Sequence, residues 1–200
     1  MRKKIRFFKQ HTMETCGAAC MLMILDLYRK VKYPTPKQEM KLYSLYRSSA
    51  FKGVNGAAIA NCLSRNHLEV TLVQSFRQKM DNRDDYYTEE LYEALQGEYE
   101  AALDKCRDRI RLVVDADITC NSLKQELNRG KQIILQCIVP GNADGIHDHT
   151  LHWIVVYGYE KEEFLVCDPL SSKIRITAEA LENYMDTPIG RICIVTGASF

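Results

Sequence analysis

The sequence predicts an α+β fold in which a central N-terminal helix packs on an antiparallel β-sheet. Three observations carry that expectation. The stretch QHTMETCGAACMLMILDLY, from Gln10 to Tyr28, continues into a helix that is apolar almost all the way round. Such a helix belongs in the middle of a domain and not on its surface. The part of the chain after Leu112 is instead a succession of short β-rich runs, so helices come first and strands later, the order of helices segregated against one sheet. Finally, no glycine-rich turn joins a strand to a helix, which argues against a doubly wound nucleotide-binding fold.

In chain order, residues 3–8 (KKIRFF) suggest a short strand or extended lead-in. A helix from about Cys16 to Lys30 follows, with Thr15 as its expected N-cap and Arg29 and Lys30 near its C-terminal end. Pro34 and Pro36 interrupt it, and Thr35-Pro36 restarts a helix near 36–47 in the manner of a cap followed by a first-turn proline. FKGVNG (51–56) is a turn, and a short helix over 57–66 precedes the alternating strand 68–73. From Gln74 to Arg111 the chain is dense in charge and tyrosine. There, Leu91, Leu95, Tyr99, Ala102, Cys106 and Ile110 predict one packed stripe on a long helix over 88–109. Its acidic start, Thr88-Glu89-Glu90, suits a helix N-terminus. A short apolar piece at 112–114 and a helix over 122–129, ended by Gly130, come next. Strands are then expected at 132–139, 151–159, 164–167, 173–176 and 191–196, with a helix over 178–185 before the last.

Composition narrows the class. At 200 residues, with 46% apolar and 26% charged residues, the chain suits one globular domain carrying a charged helical insertion at about 74–117. A net charge of +1 gives no reason to expect nucleic acid or an acidic membrane as partner. The apolar run after the basic start MRKK is too short for a signal peptide, and no segment is long enough to span a bilayer. The eight cysteines show no paired CxxC and several lie inside apolar runs, so reduced thiols in a cytoplasm are expected.

The chemistry is concentrated in four residues. Cys16 stands in the first turn of the apolar helix, where the helix dipole and unpaired amides favour the thiolate. A thiol nucleophile needs a base, and the base needs a partner that fixes its tautomer. Among five histidines, His152 is best placed, because it opens the apolar strand HWIVVYGY. The next strand, FLVCDP, ends in Asp168, with Pro169 stopping the ladder. A three-residue hairpin loop (159–161) would set His152 directly across from Asp168, with Cβ atoms ~4.5–5.5 Å apart. A four-residue loop (160–163) would pair Tyr159 with Phe164 and move Asp168 about three residues along; both registers stay open. Gln10, six residues before Cys16, supplies a neutral amide donor that could stabilise an oxyanion together with the Cys16 backbone N–H. The run His147-Asp148-His149-Thr150-Leu151-His152 also has metal-ligand residue types, but a strand alone scatters them over two faces. His147 and His149 are therefore expected to be solvated loop residues or gatekeepers at the cleft rim. Neither metal nor cofactor is expected.

On Gln10, on Cys16-Gly17 opening an apolar helix that runs on to Cys20, and on the later elements KQIILQCIV, HWIVVYGY and VCDP in that order, the chain resembles the bacteriocin-processing double-glycine peptidase domains of the papain-like superfamily. The resemblance implies a papain-like α+β fold in which Cys16 is nucleophile and His152 general base and acid. It further implies that Asp168 orients the histidine and that Gln10 serves the oxyanion hole. Three departures stand out: no membrane segment or P-loop accompanies the domain, so a stand-alone form is expected; Leu170-Ser171-Ser172-Lys173 follows Asp168-Pro169 where a glycine is expected; and the tyrosine-rich 88–109 helix is extra. That helix can pack internally or against a second copy. The expected activity is cleavage of a peptide or protein substrate, as in leader-peptide processing, through an acyl-Cys16 intermediate. Two alternatives are acyl transfer from an acyl donor to an amine acceptor by the same site, and a domain that binds peptides without catalysis.

Overall fold

The structure, a computed structural model, describes residues 4–75, 89–138, 151–187 and 190–198. Thr88, Val139, His147 and His149 lie outside them.

The central helix α1 (Cys16–Leu27) is buried without a break from Cys16 to Leu25, as its uniform apolarity requires. It stops three residues short of Lys30, because Arg29 takes a left-handed backbone with φ 60°. Thr15 occupies the N-cap position but does not cap with its side chain. Its hydroxyl donates to the Thr12 carbonyl instead, at 3.0 Å. Helix α2 (Pro36–Tyr46) starts with a reciprocal capping box between Thr35 and Gln38. Helix α3 (Gly56–Arg65) starts where Asn55 Oδ1 accepts the Ala58 N–H at 2.8 Å. Helix α4 (Glu89–Asp104) is shorter than its stripe suggests, and turns carry Cys106 and Ile110. Tyr99, Leu103 and Cys106 are nevertheless buried, so the stripe does pack. Helices α5 (Cys120–Asn128) and α6 (Ala178–Met185) are capped by Thr119 and Thr177.

The strands β1 (Leu68–Ser75), β2 (Arg111–Val114), β3 (Gln132–Ile138), β4 (Leu151–Glu160), β5 (Glu163–Cys167), β6 (Lys173–Thr177) and β7 (Arg191–Ala198) form one sheet in the order β2-β1-β7-β3-β4-β5-β6. The sheet is mostly antiparallel. The exception is β2, which pairs parallel to β1 because α4 carries the chain back across the sheet between them. The expected antiparallel sheet is found, with this one parallel pair at its edge. Residues 4–10 join no ladder. Ile5 is buried, and its carbonyl accepts from Lys173 Nζ at 2.7 Å.

Two apolar clusters cover the two faces of the sheet. One holds α1, α3 and the packed side of α4 with Trp153 and Val155; the other holds α5 and α6 with Ile154, Val156 and Phe164. Residues 153 to 156 thus alternate between the clusters, as side chains on a strand buried on both sides must. Helix α1 lies on β4, which brings the start of the helix toward the start of that strand.

Candidate active site

Strand β4 opens on Leu151-His152-Trp153, and each of the last two side chains is held by a specific partner. Trp153 donates its indole N–H to the Val54 carbonyl at 2.8 Å. Its own carbonyl lies 3.3 Å from the Cys20 thiol, which donates to it one turn along α1. Gly17 fits into the angle between these parts: a Cβ there would stand 3.1 Å from Val54 Cβ and 3.3 Å from Trp153 Cδ1. A residue without a side chain next to Cys16 is what lets α1 approach β4 so closely.

His152 is buried, with 5% of its surface exposed. Its Nε2 donates to Asp168 Oδ1 at 2.8 Å, and the Cys16 side chain lies near enough to influence the ring's titration. With Nε2 taken by Asp168, Nδ1 is the ring nitrogen left for another partner. Burial alone would lower the pKa of the ring. The hydrogen bond to Asp168 is the largest influence against it, and together with the neighbouring Cys16 side chain it raises His152 from 6.5 to about 9.

Asp168 is braced from three sides. Besides His152, the Leu170 N–H donates to Oδ1 at 2.9 Å and the Ser171 hydroxyl donates to Oδ2 at 2.7 Å. Burial pushes its pKa up, but these bonds more than offset that and hold it below the usual carboxylate value. Ser171 thus turns the stretch that lacks the expected glycine into part of the carboxylate's support.

Cys16 itself is buried, 6% exposed. Because Thr15 turns its hydroxyl to Thr12, no side-chain cap occupies the first-turn amides of α1. The other seven cysteines are free and buried, and burial is the first cause raising each of their pKa values. Cys62 and Cys167 reach about 12. Cys137 pairs with His152 across β3 and β4, so a second, protonated thiol flanks the histidine.

Gln10 is also buried. Its backbone N–H donates to the Pro169 carbonyl at 2.9 Å, tying it to the turn that carries Asp168. Its side-chain Nε2 donates one hydrogen to the Thr12 carbonyl at 2.7 Å, and its Oε1 is buried without a partner. Facing Thr12 fixes the amide's orientation, and the second Nε2 hydrogen stays free of any acceptor among the described residues. The next residue is anchored as well. Glu39 of α2, fully buried, accepts the His11 backbone N–H at 3.0 Å through Oε1. His11 Nδ1 lies 2.9 Å from Oε2, within ion-pair distance though out of line for a hydrogen bond.

The arrangement thus bonds His152 to Asp168, sets the Cys16 side chain near the ring and fastens Gln10 to the Asp168 turn. Sequence reasoning passed over Trp153 and Glu39. Trp153 could have been noticed as the single tryptophan of the chain standing beside the chosen histidine. A carboxylate buried in an otherwise ordinary amphipathic helix leaves no comparable signal.

Comparison with known proteins bears on the fold. The structure resembles a double glycine motif protease from an AMS/PCAT transporter, solved in complex with its leader peptide, at 15% identity and a TM-score of 0.51 over 99% of this chain and 94% of that one. It resembles a C39-like peptidase from Bacillus anthracis at 12% identity and a TM-score of 0.57, over 98% and 96% of the two chains. The peptidase domain of Streptococcus ComA, a bi-functional ABC transporter of a quorum sensing pathway, matches at 12% identity and a TM-score of 0.50, over 98% and 100%. Such identities establish the papain-like α+β fold of these peptidase domains. No curated protein matches the chain. Among the described residues no helix is long and apolar enough to cross a membrane. The profile described as the Peptidase_C39 like family matches residues 5–192, nearly the whole sequence, and the chain therefore belongs to that family.

Proposed function

We propose that this protein is a thiol peptidase that cleaves a peptide bond through an acyl-Cys16 intermediate, with leader peptides as the substrate class. The observation that carries the proposal is the position of His152, which bonds Asp168 through Nε2 at 2.8 Å and has the Cys16 side chain as a neighbour that raises its pKa. The thiolate of Cys16 attacks the scissile carbonyl, and the His152 imidazolium lies beside the forming charge. The oxyanion is met by the Cys16 backbone N–H and by the second hydrogen of Gln10 Nε2. His152 gives a proton to the leaving amine; it then accepts one from the water that attacks the thioester and restores the thiol. Asp168 keeps Nε2 protonated and the ring oriented throughout.

One structural relative, a double glycine motif protease from an AMS/PCAT transporter, was solved in complex with the leader peptide, which supports the choice of substrate. The reading is tested by incubating the purified protein with peptides carrying a double-glycine leader and weighing both peptide products and protein. Cleavage, with a leader-sized adduct on Cys16, is expected, and Cys16→Ala should abolish both. Cleavage that survives Cys16→Ala would overturn the proposal. A small acyl adduct with no cleavage would replace hydrolysis by acyl transfer.

A further inference from the structure

The segment between α2 and α3 is folded around a carboxylate from elsewhere in the chain. Glu98 of α4 accepts the Ser49 N–H at 2.8 Å and the Ala50 N–H at 3.1 Å, and the hydroxyls of Ser48 and Ser49 both donate to it. Ser48 Oγ in turn accepts the N–H groups of Ala50 and Phe51 at 3.0 and 3.1 Å, while its backbone N–H donates to the Gly53 carbonyl at 2.9 Å. The loop contains little apolar material of its own between Ser48 and Gly53 apart from Ala50 and Phe51. A carboxylate receiving this many donors is what gives it one conformation.

The loop ends on Val54, whose side chain is fully buried. Its carbonyl takes the Trp153 indole N–H at 2.8 Å, and its Cβ borders Gly17. Gly17 follows Cys16 in the chain and Trp153 follows His152. One short loop therefore touches the residue next to the thiol and the residue next to the imidazole, and α4 holds that loop from behind.

Building on the proposed thiol site, we infer that Glu98 is a positioning residue for the Cys16–His152 pair. By gathering Ser48, Ser49 and Ala50, its carboxylate fixes Val54, and Val54 sets the spacing between the start of α1 and the start of β4. The charged helix thereby has a task at the site without touching substrate.

The test compares wild type, Glu98→Ala and Glu98→Gln in the full chain. Iodoacetamide labelling is resolved cysteine by cysteine, and acrylamide quenching of Trp153, the only tryptophan, reports on the loop contact. Glu98→Ala should slow Cys16 labelling about tenfold or more, since small misplacements of reacting groups are costly. It should also raise Trp153 quenching while Cys20 and Cys62 stay protected. Glu98→Gln, which keeps an acceptor oxygen, should recover most of the rate. If wild-type Cys16 labels fast and Glu98→Ala changes neither rate nor quenching, the inference fails and the thiol site stands. If Cys20 and Cys62 become labelled in step with Cys16, the role is only structural and the inference fails again. If wild-type Cys16 labels no faster than the other thiols, the thiol reading falls and takes this one with it.

Discussion

His152 and Asp168 are two residues out of register, yet their side chains meet at 2.8 Å. Strands β4 and β5 are joined by a two-residue turn, Lys161-Glu162, with φ of 51° and 67°. That pair of left-handed residues makes the type I′ hairpin favoured by strand twist. From it, Glu160 pairs with Glu163 and Tyr159 with Phe164. Continued unchanged, this register would set Asp168 across from Val155, on the face opposite His152. A bulge between Val156 and Gly158 absorbs Tyr157, so that Val155 pairs with Cys167. Asp168 then follows in line with Ile154, on the same face as His152 and diagonal to it. One extra residue changes the parity of the strand and brings His152 and Asp168 together.

Replacing Asp168 with Asn should move the His152 titration. By NMR the wild-type imidazole is expected to titrate near 9. In Asp168→Asn the lowering by burial remains while the largest raising bond is weakened, so the titration should fall. Peptide cleavage should lose its alkaline limb near pH 9 in wild type and at lower pH in the variant. Activity should drop on the order of 10²-fold. A His152 titration unchanged by the substitution would contradict this.

Stability follows the same linkage. His152 has a raised folded pKa, so its contribution is full below its unfolded value of about 6.5 and is lost as pH rises through about 9. Asp168 has a lowered folded pKa, so its contribution is present above its unfolded value of about 3.9 and is lost as pH falls. The Tm difference between wild type and Asp168→Asn should therefore be largest from about pH 4 to 6.5 and shrink on both sides. Thermal melts across pH 3–10 measure it, and a difference that grows toward pH 9 would be the wrong sign.

Gln10→Ala separates oxyanion binding from thiol reactivity. Alkylation by iodoacetamide forms no tetrahedral oxyanion, so the labelling rate of Cys16 should stay within a few-fold of wild type. Peptide cleavage should fall about 10²–10³-fold in kcat, the usual cost of one oxyanion donor. Equal losses in both assays would assign Gln10 to holding the fold.

Gly17→Ala gains helix propensity of about 1 kcal/mol but drives a methyl toward Val54 and Trp153 at 3.1 and 3.3 Å. Both neighbours belong to the packed wall of the site, so the strain should surface as slower Cys16 labelling. The melting temperature should stay close to that of wild type. Wild-type labelling in Gly17→Ala would show that the spacing of α1 and β4 is not critical.

The fold was legible wherever a single periodicity governed a segment. The all-round apolarity of α1, the proline and cap before α2, and the alternation in β1 led to elements found at nearly the expected positions. Cys16, His152 and Asp168 drew attention because each stands at or next to the end of an element, and Gln10 because of its spacing before Cys16. The four-residue alternative gave the Tyr159–Phe164 pairing that is found, but both loops were longer than the real turn and neither carried the bulge that brings His152 and Asp168 together. Gly158 was the available signal, as glycine inside a strand marks a bulge or a close approach, and a Cβ there would meet Leu165 at 3.1 Å. Thr15 misled because its capping power is local and competes with Thr12 for the same hydroxyl. The parallel pairing of β2 was hidden because four residues, Arg111–Val114, carry too little pattern to declare a direction.

The central claim is that His152 activates Cys16 selectively, and cysteine-resolved iodoacetamide kinetics at neutral pH test it most directly. Wild type should label Cys16 tenfold or more faster than Cys20 or Cys62, whose thiols burial keeps protonated. His152→Ala should bring Cys16 down toward their rates with the fold intact by circular dichroism. Uniformly slow labelling of all the cysteines in wild type, or fast Cys16 labelling that His152→Ala leaves untouched, would contradict the account.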